Sequence, residues 1–148
     1  MRKNVCVSLL ALSFIVSMAA GAAPASARSV DSMRAQIPFD FHIGDTLVPA
    51  GRYTVRALNA DESMLRLSDG RHGASINTNA AQGAVSAEGQ ARLVFRKYGD
   101  QYFLAAVWSS DNSGRALPAS KTERSLRKET QSARGGMADA ETVIVALH

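Results

Sequence analysis

Three histidines, a few acidic residues and a scatter of serines are the side chains here whose types could do chemistry. A metal site needs converging ligands. No two of His42, His72 and His148 have the short spacing that brings imidazoles together locally. Alternation along the chain places His42 on the wet face of the first strand and His72 beside Leu67 on an inward face, with His148 at the terminus. No metal ligand set and no cofactor is expected from them. No serine stands in a Gly-x-Ser-x-Gly elbow, so a Ser/His/Asp set would have to assemble from distant segments. An enzyme would therefore need His42 or His72 within hydrogen-bond reach of a serine or carboxylate inside a cleft.

The acidic residues say little more. Asp111-Asn112-Ser113-Gly114 lacks most ligands of a calcium loop and its closing glutamate, and is expected to be a hairpin turn. Asp61 and Glu62 are adjacent and would point apart on a strand, which gives no acid/base partnership. Basic residues are more concentrated. Arg115, Lys121, Arg124, Arg127, Lys128 and Arg134 face only Glu123 and Glu129 within residues 115–134. With no aromatic residue after Trp108, nucleic-acid binding is not expected. The apolar face offered by Leu126 and Ala133 is small for a membrane helix, so a solvated helix lying over a sheet is expected.

The elements that must position these groups are mainly strands. Met33, Ala35, Ile37, Phe39, Phe41 and Ile43 alternate with polar residues, a period of two that predicts one half-buried strand over 33–43. Pro38 on its polar side predicts an edge position or a bulge. After a turn at Gly44-Asp45 and turn chemistry at Pro49 to Gly51, Tyr53, Val55 and Ala57 continue as inward positions. Met64–Ser68 and the residues after Asp69-Gly70 form a predicted hairpin, with Leu67 opposite His72 and Leu65 opposite Ala74. Residues 80–90 have no period and predict a mobile loop.

A second hairpin is predicted across Gly99-Asp100, pairing Phe95 with Leu104, Leu93 with Ala106 and Ala91 with Trp108. It is apolar on both faces, so it should be central with its second side covered. Ser120-Lys121-Thr122-Glu123 has capping-box spacing and predicts a helix over 121–134, ending by Gly135-Gly136. Val143–Leu147 predicts a buried last strand. The fold expected is mainly β: about seven mostly antiparallel strands as a sandwich or open barrel, with one helix before the last strand. A closed outer-membrane barrel is the rival, but Arg52 and Arg56 beside Tyr53 and Val55 suit a soluble core better.

The first 27 residues read as an address. Met1-Arg2-Lys3 is a positive start, Val5–Ala20 is an almost unbroken apolar run, and Ala25 and Ala27 occupy the two positions a signal peptidase reads. A signal peptide over 1–27 and a single β-rich domain over 28–148 are expected, exported to the periplasm or beyond the cell. The apolar run is shorter than the roughly 20 residues needed to cross a bilayer, and no stable membrane span is expected after cleavage. The only cysteine, Cys6, lies in this segment, so the exported chain has no disulfide. Loss of Arg2 and Lys3 lowers 17 basic residues to 15, against 13 acidic, so much of the apparent basicity belongs to the leader.

Leu47-x-Pro49-x-x-x-Tyr53-x-Val55 resembles the tyrosine-corner stretch of fibronectin type III sandwiches, which implies a hydroxyl bond from Tyr53 to nearby backbone. A longer pattern spans most of the exported chain. It runs through Ile37-Pro38-Phe39-Asp40-Phe41, Leu47-Val48-Pro49-Ala50-Gly51-Arg52-Tyr53 and Leu93-Val94-Phe95. Tyr98-Gly99-Asp100-Gln101-Tyr102-Phe103-Leu104, Val107-Trp108, Gly114-Arg115-Ala116-Leu117-Pro118 and Ser120-Lys121 complete it. This pattern resembles a family of small, uncharacterised exported bacterial β-rich proteins. The resemblance implies export and this order of elements, and transfers no catalytic or binding residues.

Three functions are compatible with these readings. The first is an exported non-catalytic binding or structural module of the cell envelope, with a protein or envelope component as partner, meeting it through the first strand's wet face and the helix. The second is a carrier of a small apolar ligand held between sheet and helix near Phe103, Val107 and Leu126. A hydrolase-type enzyme is the third.

Overall fold

The structure is a computed structural model that describes residues 32–81, 89–133 and 140–148. The leader 1–27 with Ala25 and Ala27, residues 82–88 of the expected loop, and Gly135-Gly136 lie outside the described residues. In chain order the strands are β1 (Met33–Ile37), β2 (Phe41–Ile43), β3 (Thr46–Val48), β4 (Gly51–Ala57), β5 (Met64–Ser68), β6 (Gly73–Asn77), β7 (Asn79–Ala80), β8 (Arg92–Tyr98), β9 (Gln101–Trp108) and β10 (Gly114–Ala116). The helix α1 (Lys121–Ala133) and the strand β11 (Glu141–Ala146) follow.

The chain is mainly β, mostly antiparallel, with its one described helix before the last strand. Two sheets form, one of them curved into a half-barrel. The smaller has the order β1-β4-β5-β6; the larger runs β11-β8-β9-β10-β7, with β2 joined to β9 and β3 to β2. More strands form than the seven expected because long apolar runs are cut where the chain changes sheets. The alternation over 33–43 breaks at Pro38, which cannot donate to a ladder, so β1 joins one sheet and β2 the other. A second crossing at Thr78 separates β6 from β7, which ends on Ala80, the first residue of the expected loop.

Inward positions of both sheets share one core. Ala35, Ile37, Tyr53, Val55, Leu65, Leu67 and Ile76 meet Phe41, Leu93, Phe95, Leu104 and Val107. Aromatic residues fill one end. Phe39 stacks on Tyr102 at 4.0 Å, and Phe41 meets Tyr53 and Phe95 edge-on at 5.6 and 5.4 Å. The tyrosine corner forms, with the Tyr53 hydroxyl donating to the Pro49 carbonyl at 2.7 Å.

Both hairpins depart from the expected register, with different consequences. The first turn takes four residues, so Leu67 lies opposite Ala74 and Leu65 opposite Ile76, not His72 and Ala74. The Asp69 carboxylate accepts from the Arg71 and His72 amides at 2.8 and 2.5 Å, and Gly70 takes a left-handed φ of 93°. That slip is by two residues, so the buried face is kept. His72 is thereby on the exposed turn rather than an inward position.

In the β8–β9 hairpin, Phe95 pairs with Leu104 as expected, but a bulge between Val94 and Phe95 resets the pairs beyond it. Leu93 then faces Val107 rather than Ala106, and Arg92 faces Trp108. This is a shift by one, so Val107 turns into the inter-sheet core and Trp108 away from it. β11 pairs with β8 along its length; Val143 and Val145 are half-buried, while Ile144 is 49% exposed, so the strand is half-buried rather than buried.

The other face of β8 and β9 carries Arg92, Val94, Tyr98, Phe103 and Trp108, all buried, together with Arg96. The helix α1 packs against β8 on this side. Ser120 caps it, its hydroxyl accepting from the Glu123 amide at 3.1 Å, and Asp45 accepts from the Thr122 amide at 3.1 Å. The Thr122 hydroxyl first, then its amide and the Ser120 hydroxyl, hold the Asp45 carboxyl below its ordinary range. Glu123, however, does not complete the capping box. Its carboxylate is buried, 2.7 Å from Arg96 Nε and 3.3 Å from the Tyr98 hydroxyl.

Candidate functional site

Whether two packed sheets close on each other depends on the bulk of their inward side chains, since face-to-face sheets stand about 10 Å apart. Rings fill the end occupied by Phe39, Phe41, Tyr53, Phe95 and Tyr102. Toward the other end the inward positions are Val55 and Ala57 on β4, Ala91 before β8 and Val107 on β9. Val55 and Val107 are buried in the shared core, while Ala57 and Ala91 are only half-buried and lack the bulk to cap it at this end. A cleft of about 1250 Å³ opens there, and Leu65 and Leu147 complete its apolar floor.

The rim is polar and fixed. Arg115, on β10 of the larger sheet, reaches the β4–β5 turn of the smaller one. Its Nε lies 3.4 Å from the Glu62 carboxylate, and its guanidinium also donates to the Asp61 carbonyl. Glu62 holds a left-handed φ of 53°, uncommon for a residue with a Cβ. The Thr78 hydroxyl fixes it by donating to its carbonyl at 2.8 Å. On the facing turn, Asp111 accepts from the Ser113 amide at 3.0 Å and from the hydroxyls of Ser113 and Ser109. The Ser109 hydroxyl first, then the Ser113 amide and hydroxyl, hold its carboxyl down at about 2. That turn is the one expected at Asp111–Gly114.

His148 also lines the cleft. Its amide and carbonyl each bond to Arg34 of β1 at 2.9 Å, which ties β1 to the segment after β11. The other histidines are elsewhere. His42 is half-buried rather than on a wet face, stacked on Phe103 at 4.7 Å. His72 does reach a carboxylate, with Nδ1 3.2 Å from Asp69, but its side chain is 83% exposed on a hairpin tip. Among the described residues, no three His, Cys, Asp or Glu side chains gather as a metal site.

Phe103, Val107 and Leu126 are not gathered either. Val107 lies on the cleft floor within the inter-sheet core. Phe103 is buried on the opposite face of β9, against His42 and Tyr98, and Leu126 is half-buried on α1. The bulge that separates Val107 from Phe103 carries no sequence signal, because Ala105 and Ala106 suit either face. In the sequence Arg115 reads as part of a basic run and Glu62 as half of an adjacent acidic pair, with nothing to mark them as partners. The pairing shows only in the fold, where Arg115 on the short strand β10 and Glu62 in a turn of the other sheet come within reach.

Among the described residues no helix is long and apolar enough to cross a membrane. Compared with known proteins, the chain matches no family model, no curated protein and no solved structure.

Proposed function

We propose that this protein is an exported binding module of the cell envelope whose cleft between the sheets holds the apolar body of an amphipathic small molecule. The cleft carries this reading. Ala57 and Ala91, backed by the buried Val55, Leu65, Val107 and Leu147, would shelter an apolar body, and the rim would meet a polar head. A volume of about 1250 Å³ exceeds what one side chain fills. The acids on the rim favour binding over catalysis, because each is committed to holding structure. Glu62 holds Arg115, and Asp111 holds the 109–113 turn. Export supplies the setting and rests on Met1–Ala27 alone.

Native mass spectrometry of the protein recovered from its own envelope fraction tests this. The expected result is a co-purified small amphipath that is absent when Ala57→Phe fills the floor. Recovery of the bare protein, or equal occupancy in Ala57→Phe, would count against it.

A further inference from the structure

Between residues 32 and 81 the chain carries five arginines and five acids, a balance that hides a separation. All five acids, Asp40, Asp45, Asp61, Glu62 and Asp69, lie in turns between strands. Four of the arginines, Arg34, Arg52, Arg56 and Arg66, lie on β1, β4 and β5, and no strand of the smaller sheet contains an acid. The strand order places all four on one face. Arg56 stands directly opposite Arg66, Arg34 opposite Thr54 and Arg52 opposite Gln36. All four are exposed. Among the described residues none of these four guanidiniums makes an ion pair.

Like charges set directly across a ladder repel, so the fold gains nothing from the Arg56–Arg66 pair. The nearest acids are occupied: Glu62 holds Arg115, and Asp69 accepts from His72 and the Arg71 amide. The face is also low in relief. Arg66 lies across Gly73 of β6, its Nη2 2.9 Å from where a Cβ would stand. At one end of the same face Met64 is 38% exposed, and Leu58, hydrogen-bonded to it across the hairpin, is 47% exposed.

We propose that this face docks the protein on an anionic phospholipid surface. A planar guanidinium forks onto phosphate oxygens, and four spread over one sheet face match an array of headgroups rather than a single ligand. Met64 and Leu58 supply apolar side chains at the rim, where interfacial binding uses them. A nucleic-acid strand fits less well, because the strands of this sheet place no aromatic residue on that face for bases to stack on.

The test is co-sedimentation of the exported protein with vesicles of phosphatidylcholine alone, or with about one third phosphatidylglycerol, at low and high salt. Binding is expected only with phosphatidylglycerol and should weaken with salt. Each arginine removed should lower partitioning roughly fivefold, so Arg56→Gln/Arg66→Gln should lose about twenty-five-fold. Arg34→Gln/Arg52→Gln should lose as much, which guards against a folding defect in either pair. Arg124→Gln/Arg127→Gln on α1 should bind as the parent does. Unchanged binding by both sheet variants, loss in the α1 variant, no binding to phosphatidylglycerol, or tighter binding to a single-stranded oligonucleotide than to vesicles would each overturn the proposal.

Discussion

Replacing Glu123 by alanine removes the acid that α1 buries against β8, the one buried acid among the described residues. Its side chain is 4% exposed, and its carboxylate holds Arg96 at 2.7 Å, with the Tyr98 hydroxyl at 3.3 Å. Breaking a fully buried pair by deleting one partner costs about 3–5 kcal/mol, chiefly because the other charge is stranded. Arg96 keeps 30% of its side chain exposed and can recover part of its hydration, so about half of that applies. Tyr98 loses an acceptor, which adds about 1 kcal/mol. A loss of about 2.5–3.5 kcal/mol is expected, a fall of about 1–2 M in the urea midpoint with unchanged slope. Trp108, the only tryptophan, reports it by fluorescence. In an Arg96→Met background the same change should cost less than about 1 kcal/mol, because no guanidinium is left to strand. A loss below about 0.5 kcal/mol in the parent, or the same loss in both backgrounds, would refute the pairing as what holds α1.

Two further outcomes follow from local geometry. The His72 and Arg71 amides and the His72 ring hold the Asp69 carboxyl at about 2, below the ordinary 3.8. The folded value lies below the unfolded one, so this contribution is present above about pH 4 and is lost as pH falls through about 2. Amide shifts of Arg71 and His72 should titrate with that midpoint; one at 3.8 would contradict it. Gly114 faces Trp108 across the ladder, and a Cβ there would stand 2.6 Å from the indole. Gly114→Ala should therefore cost about 1–3 kcal/mol in urea unfolding, whereas a neutral result would mean the ring shifts freely.

What the sequence discloses depends on how local the deciding contact is. The Tyr53–Pro49 bond spans four residues and is readable from spacing alone. Leu65 and Leu67 keep their buried face although their partners slipped by two, because period-two alternation survives an even shift. Val107 changes face because a one-residue bulge at Ala105 leaves the composition of either face plausible. Glu123 reads as a capping residue from its spacing to Ser120. Its real partners lie 27 and 25 residues earlier, on a strand whose second face needed an acid. The cleft comes from missing bulk at Ala57 on β4 and at Ala91 just before β8, in different sheets, and the arginine face from a strand order that sequence alone does not fix.

The central claim is that the space between the sheets is a binding site, and titration with a medium-chain fatty acid followed by amide shifts tests it most directly. Saturable changes are expected at Ala57, Leu65, Ala91, Val107 and Leu147, lost in Ala57→Phe, with Phe103 and Leu126 unmoved. Changes centred on Phe103 and Leu126, or none that saturate, would contradict it.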